Sequence, residues 1–217
     1  MYVPPAFREE DLPTIHSEMR KIQLATLVTQ SSGGLVATHL PLFLDATEGK
    51  YGTLHGHLAR ANEQWSTGLE SVEALAIFTG PDAYVTPSWY PSMKESGKVV
   101  PTWIYVAIHA YGRARFSEDP TLLREIITRL TDIHEAASPT PWQVNDAPAD
   151  YIDAQLKRIV AVTIPISRLE GKWKFDQRSS EQDRLGVIAG LRAQGGRKEE
   201  EAADIMENFE RSRTRNR

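Results

Sequence analysis

The chain has 217 residues, a formal net charge of -4, a hydrophobic fraction of 41% and a charged fraction of 25%, the composition of a globular protein large enough to bury a core without disulfides or a structural metal. It contains no cysteine, which excludes disulfides, thiolate catalysis, cysteine-ligated zinc and iron–sulfur clusters and suits a reducing cytoplasm. The negative charge gives nucleic acid no average attraction, and with neither a signal-peptide start nor a run of ~18 apolar residues, a cytoplasmic protein without a membrane span is expected.

Residues 8–22 carry Leu12, Ile15, Met19 and Ile22 at helical spacing, and Pro13 places the helix start near Asp11 or Leu12. Residues 25–29 and 35–40 are β-rich runs joined by the hairpin turn Ser31-Ser32-Gly33-Gly34. The second run continues past Pro41 through Leu42-Phe43-Leu44, the proline marking an edge or a bulge. Residues 51–57 form a third strand and 61–69 a short helix. Two further strands, 74–78 and 83–86, are split by Gly80-Pro81-Asp82, and residues 87–101 are a Pro-, Ser- and Gly-rich loop of functional length.

Residues 103–116 alternate, with Ile104, Val106, Ile108 and Ala110 on a core face and Trp103, Tyr105, Ala107, His109 and Tyr111 on the other. An amphipathic helix follows at 119–136, a shorter one at 150–156 and a final strand at 159–166. Helices at 181–192 and 198–211 close the chain, before a terminus with four arginines and no acid. Six or more short strands followed by helices predict a mainly β (α+β) fold, a small barrel with peripheral helices. The barrel domain spans 1–170, and 171–217 is a C-terminal helical extension with a basic tail.

The run Thr53-Leu54-His55-Gly56-His57-Leu58-Ala59-Arg60 leads from a strand through a turn into a helix start. On its own it reads first as a surface helix cap with an exposed arginine and two partly buried histidines. The alternative is a phosphate site: free backbone N–H groups and the helix dipole favour an anion, Arg60 adds a bidentate donor, and Gly56 permits close approach of a ligand. Half a metal site, with His39 or His109, is a minor third reading, and no metal is expected. Tyr84, Ser88-Trp89-Tyr90 and Trp103 surround the Pro-rich loop and either wall a flat ring or close the barrel core. No nucleophile elbow, P-loop or dinucleotide fingerprint is present, so no catalytic residue is assigned.

Five segments together resemble the PaiB-type FMN-binding negative transcriptional regulators. They are the opening Met1-Tyr2-Val3-Pro4-Pro5-Ala6-Phe7, the run at 52–62, Tyr84-Val85-Thr86-Pro87-Ser88-Trp89-Tyr90-Pro91-Ser92, residues 99–112 around Trp103, and Gly186-Val187-Ile188-Ala189-Gly190-Leu191. The resemblance implies a split β-barrel of the FMN-binding type, a homodimer, and FMN as cofactor. It implies Thr38, His39 and Leu40 along the isoalloxazine edge, and Leu54, His55, His57 and Arg60 at the ribityl-phosphate end. Tyr84 and Trp103 would be walls, the partner subunit's flavin included. The sequence departs from the family's pattern at Met93, Ile104, Asp176 and Arg178. The implied function is an FMN-binding negative regulator that contacts DNA, if at all, through residues 182–192 and the terminal arginines; a flavin-dependent oxidoreductase is the alternative, and a haem-binding split barrel a lesser one.

Overall fold

The structure, a computed structural model, describes residues 1–67 and 72–215. The end of the helix expected over 61–69 and the last two residues of the arginine-rich terminus lie outside the described residues. The strands are β1 (Arg8–Glu9), β2 (Leu24–Ser31), β3 (Gly34–Asp45), β4 (Thr53–Ala59), β5 (Ala74–Val85), β6 (Thr102–Gly112), β7 (Arg115–Ser117) and β8 (Ile159–Lys174). The helices are α1 (Leu12–Ile22), α2 (Gln64–Thr67), α3 (Ser92–Ser96), α4 (Pro120–Glu135), α5 (Ala149–Leu156), α6 (Glu181–Gln194) and α7 (Arg197–Arg215). Strands pair in the order β1-β8-β4-β3-β2-β5-β6, with β7 on β8 and a further β8–β6 pairing. This is the mainly β fold with peripheral helices that the patterning predicts. Two compact units divide the chain: residues 11–78 with 108–169, and residues 1–10 with 79–107 and 170–217.

In the first of these units, Asp11 caps α1 by accepting from the Thr14 backbone N–H (2.9 Å), and Ile15 and Met19 are buried. The β2–β3 hairpin keeps register from Ser31↔Gly34 to Leu24↔Pro41, and at Leu42 strand β3 passes to β4, beginning with Leu42↔Gly56. Pro41 therefore marks an exchange of partner strands, where a missing N–H interrupts the ladder least. Gly56 lacks a side chain for a reason the sequence does not disclose: a Cβ there would lie 2.6 Å from the Pro41 carbonyl oxygen. The close approach is to a neighbouring strand. Phe43 on β3 and Ala161 on β8 form a core with Leu123, Ile126 and Leu130 of α4 and Ile152 and Leu156 of α5.

In the other unit, Ile104 and Val106 are fully buried, as their alternation predicts. Ser180 caps α6, accepting from the Asp183 N–H (3.1 Å). Gly186 and Gly190 of α6 face Trp89, where any Cβ would meet its carbonyl or its indole ring. Helix α7 carries acids to the arginines of α6: Arg184 makes two hydrogen bonds to Glu210 (2.6 and 2.9 Å), and Arg192 pairs with Glu200, Asp204 and Glu207.

Three expectations change. Residues 74–85 form one strand: Gly80, Pro81 and Asp82 stay in it, none with the positive φ of a two-residue hairpin turn. The loop at 87–101 contains a 3-10 turn, Pro87–Trp89, and the short helix α3. Strand β8 runs eight residues past Ile166, where β1 pairs with it through Arg8↔Lys172 and Glu9↔Gly171.

Candidate functional site

Side chains alternate along a strand, which sorts the candidate residues onto two faces. Register places Leu54 of β4 with Leu44 of β3 on one face, and His55 with Phe43 on the other. Counting back along β3, Thr38 and Leu40 share the buried Leu44 face, and His39 lies on the Phe43 face. A ring lying along residues 38–40 would thus meet side chains from both faces.

On the buried face, Thr38 Oγ1 accepts from Asn62 Nδ2 (2.8 Å), and Asn62 Oδ1 in turn accepts from the Gln64 N–H (3.0 Å). Gln64 is 1% exposed, and its Nε2 reaches the Leu27 carbonyl (3.1 Å) and Thr29 Oγ1 (3.0 Å). Its Oε1 is buried with no partner among the described residues. Leu40 and Leu54 are core residues.

On the other face, His39 is exposed, with Nδ1 2.9 Å from Thr26 Oγ1. His55 stacks on Phe43, ring centroids 5.1 Å apart, and its Nε2 lies 3.0 Å from Glu48 Oε2. His57 faces the same way as His55, opposite Ala161 of the α4–α5 core. Its Nδ1 is buried and unpartnered among the described residues, and burial holds its pKa below the ordinary imidazole value. Among the described residues no three His, Asp or Glu side chains converge as a metal would require.

Arg60 ends β4. Its Nε donates to the Lys157 carbonyl (2.7 Å), and its Nη1 pairs with the Glu118 carboxylate. Arg60, Glu118 and Lys157 line a cavity of about 330 Å³ with Pro120, Leu123, Asp153 and Leu156. The turn after Arg60 differs from expectation. Helix α2 starts only at Gln64, the Arg60 N–H is taken by the Arg158 carbonyl (2.8 Å), and the Asn62 N–H by Ala59 (2.9 Å). These backbone donors are spent inside the fold, which leaves the Arg60 side chain as the principal cationic feature of the turn.

Tyr84 and Trp103 lie in the other unit, both exposed, in an edge-to-face pair with centroids 5.9 Å apart. The structure thus joins Thr38 to Asn62 and Gln64, joins His55 to Phe43 and Glu48, and places Arg60 apart with Glu118 and Lys157. Sequence reasoning passed over Gln64, Glu118 and Lys157. Glu118 and Lys157 lie far from Arg60 along the chain, and no local pattern connects them. Gln64 carried a faint signal, a polar residue at a helix start beside a polar asparagine.

Residues 1–168 match the family described as "Putative FMN-binding domain". The protease synthase and sporulation protein PAI 2 of Bacillus subtilis is 31% identical over 96% of this chain and 97% of its own length. An uncharacterized protein of Emericella nidulans is 35% identical over 88% of this chain and 90% of its own. Among solved structures, the flavocytochrome Anf3 of Azotobacter vinelandii has a similar fold at 13% identity, with a TM-score of 0.59 over 82% of this chain and 75% of that one. A Mycobacterium smegmatis protein described as binding FAD and haem matches at 15% identity and a TM-score of 0.59, over 88% of this chain and 80% of that one.

Proposed function

Because the chain belongs to the PaiB-type FMN-binding family, with FMN or a related flavin as its expected cofactor, we propose that it is a cytoplasmic, homodimeric, flavin-responsive negative transcriptional regulator. The observation that carries the flavin part is the cavity lined by Arg60 and Lys157. Glu118 and Asp153 line it too, Asp153 paired with Arg124. The Arg60 fork, which can bind a phosphate bidentately in place of Glu118, is therefore the anchor, and Lys157 is the second basic residue of the lining. The remaining residues fit a flavin on one further ground. The unpartnered Oε1 of Gln64 is a buried acceptor, costly to leave unsatisfied, and a ligand N–H would answer it.

When bound, FMN supplies a redox-active isoalloxazine; the protein supplies position and electrostatics. Arg60 and Lys157 hold the phosphate, with Glu118 giving up the guanidinium. Asn62 and Thr38 hold Gln64 in place. Tyr84 and Trp103 offer aromatic wall to a flavin of the partner subunit. Among the described residues no helix is long and apolar enough to cross a membrane. The regulatory part rests on the resemblance to the PaiB-type negative regulators, and residues 182–192 and the terminal arginines are the candidate DNA-contacting segments.

The absorption spectrum of freshly purified protein tests the flavin. Twin near-ultraviolet and blue bands that disappear in Arg60→Gln are expected, and a Soret band or a featureless spectrum that FMN does not alter would overturn the reading. For the regulatory part, a mobility shift on the protein's own promoter region should respond to FMN; turnover of reduced nicotinamide well above free flavin would favour an oxidoreductase instead.

A further inference from the structure

Lys172 on β8 is 9% exposed, and a lysine that deep is almost always paired. Here, among the described residues, its ammonium meets only aromatic rings: the centroid of Tyr105 lies 5.1 Å away and that of Tyr2 5.9 Å away. Lys174, two residues on and facing the same way, donates to Thr102 Oγ1 (2.6 Å) and to the Trp103 carbonyl (2.5 Å), 5.9 Å from the same Tyr105 ring. Arg8 stands directly opposite Lys172 in the β1–β8 register, its guanidinium 3.4 Å from Glu10. Cations placed opposite one another are unfavourable without an anion between them. The carboxylate on that face of β8, Glu170, accepts from the Met1 ammonium (2.6 Å).

Beside these cations stands an aromatic surface. Trp103 shares the β6 face of Tyr105 and pairs edge-to-face with Tyr84. Tyr2, the ring on the other side of Lys172, is 83% exposed, so turning it aside sacrifices little packing. All of these residues lie in one compact unit.

We propose that Lys172, Lys174 and Tyr105 form a binding site for a planar aromatic carboxylate, its ring against Trp103 and Tyr84 and its carboxylate on the Lys172 ammonium. Desolvated ammonium–carboxylate contacts supply the affinity, and aromatic stacking supplies the preference for a flat ring. The site stands on the geometry of this unit and does not require the flavin reading. It shares Tyr84 and Trp103 with the flavin wall proposed above, so FMN would compete for the ring position without using Lys172.

The test is calorimetric titration of the full-length protein with 2-naphthoate, with and without saturating FMN. Lys172→Gln and Lys174→Gln should each weaken 2-naphthoate by about tenfold or more, and Lys172→Arg should stay within about threefold of the unaltered protein. The uncharged 2-naphthalenemethanol should bind far more weakly. Melting curves establish that each variant is folded, and Lys174→Gln, at a more exposed position, remains informative if Lys172→Gln is not. Absence of 2-naphthoate binding, or equal binding by folded glutamine variants, overturns the proposal. So does displacement of 2-naphthoate by FMN together with an equal loss of FMN affinity in Lys172→Gln, which assigns the anion to the flavin phosphate. Binding of 2-naphthoate by protein that takes up no FMN would sink the flavin reading and leave this site standing.

Discussion

Glu118 closes an ion pair on Arg60, the side chain proposed to receive the flavin phosphate, while the Arg60 Nε is held by the Lys157 carbonyl. An incoming phosphate must displace that carboxylate or share the guanidinium with it. The pair is half-exposed and worth little by itself, so Glu118→Gln should tighten FMN by about twofold to fivefold. Riboflavin, which lacks the phosphate, should bind unchanged. Flavin fluorescence titration reads both, and equal effects on the two flavins would place the phosphate elsewhere.

Burial holds both His57 and His16 below the ordinary imidazole range. An unfolded histidine takes up its proton near pH ~6.5, before these folded ones do. Between the two values the unfolded state binds more protons, so stability is lost as pH falls below ~6.5, and neither group contributes above it. The melting temperature should therefore be lower at pH 5.5 than at pH 7.5. His57→Leu should flatten that dependence, leaving the share of His16; an unchanged slope would contradict the assignment.

Gly56 has no room for a methyl group beside the Pro41 carbonyl and Leu42. Gly56→Ala should cost about 1–3 kcal/mol through overpacking at the β3–β4 contact, measured by urea denaturation. Gly33→Ala is the control, since the nearest atom to its Cβ is 3.7 Å away. It should be close to neutral.

The Arg184–Glu210 pair joins α6 to α7 with side chains 8% and 17% exposed. Removing one member leaves the other's charge deprived of its main partner, which costs about 3–5 kcal/mol in buried pairs. Arg184→Met should fall in that range, and the double variant Arg184→Met with Glu210→Gln should recover a large part of it. An additive double variant would show that the two charges are not coupled.

Much of the architecture was legible because it rests on periodicity. The alternation at Ile104, Val106, Ile108 and Ala110 and the helical spacing of Leu123, Ile126 and Leu130 are local patterns, and all seven side chains are buried. The extension of β8 was not legible, since nothing in its own residues announces β1 as a partner. The candidate site divides the same way. The run ending in Arg60 could be picked out for its residue types, whereas Glu118, Lys157 and the function of Gly56 follow from register across distant strands. Spacing could place His55 and His57 on one face but not show that α4 and α5 pack over it.

The helical pair at the C-terminus has an electrical consequence for work on shortened chains. Residues 197–217 contain six basic and six acidic side chains, so deleting them leaves the total charge unaltered. What changes is its distribution, because Arg184 and Arg192 lose the acids that neutralise them. A chain cut after Gly196 would leave Arg184 and Arg192 without those partners, and any contact they made with a polyanion would weaken with added salt. Tighter DNA retention by such a fragment would then report uncovered arginines, a property the intact protein keeps masked.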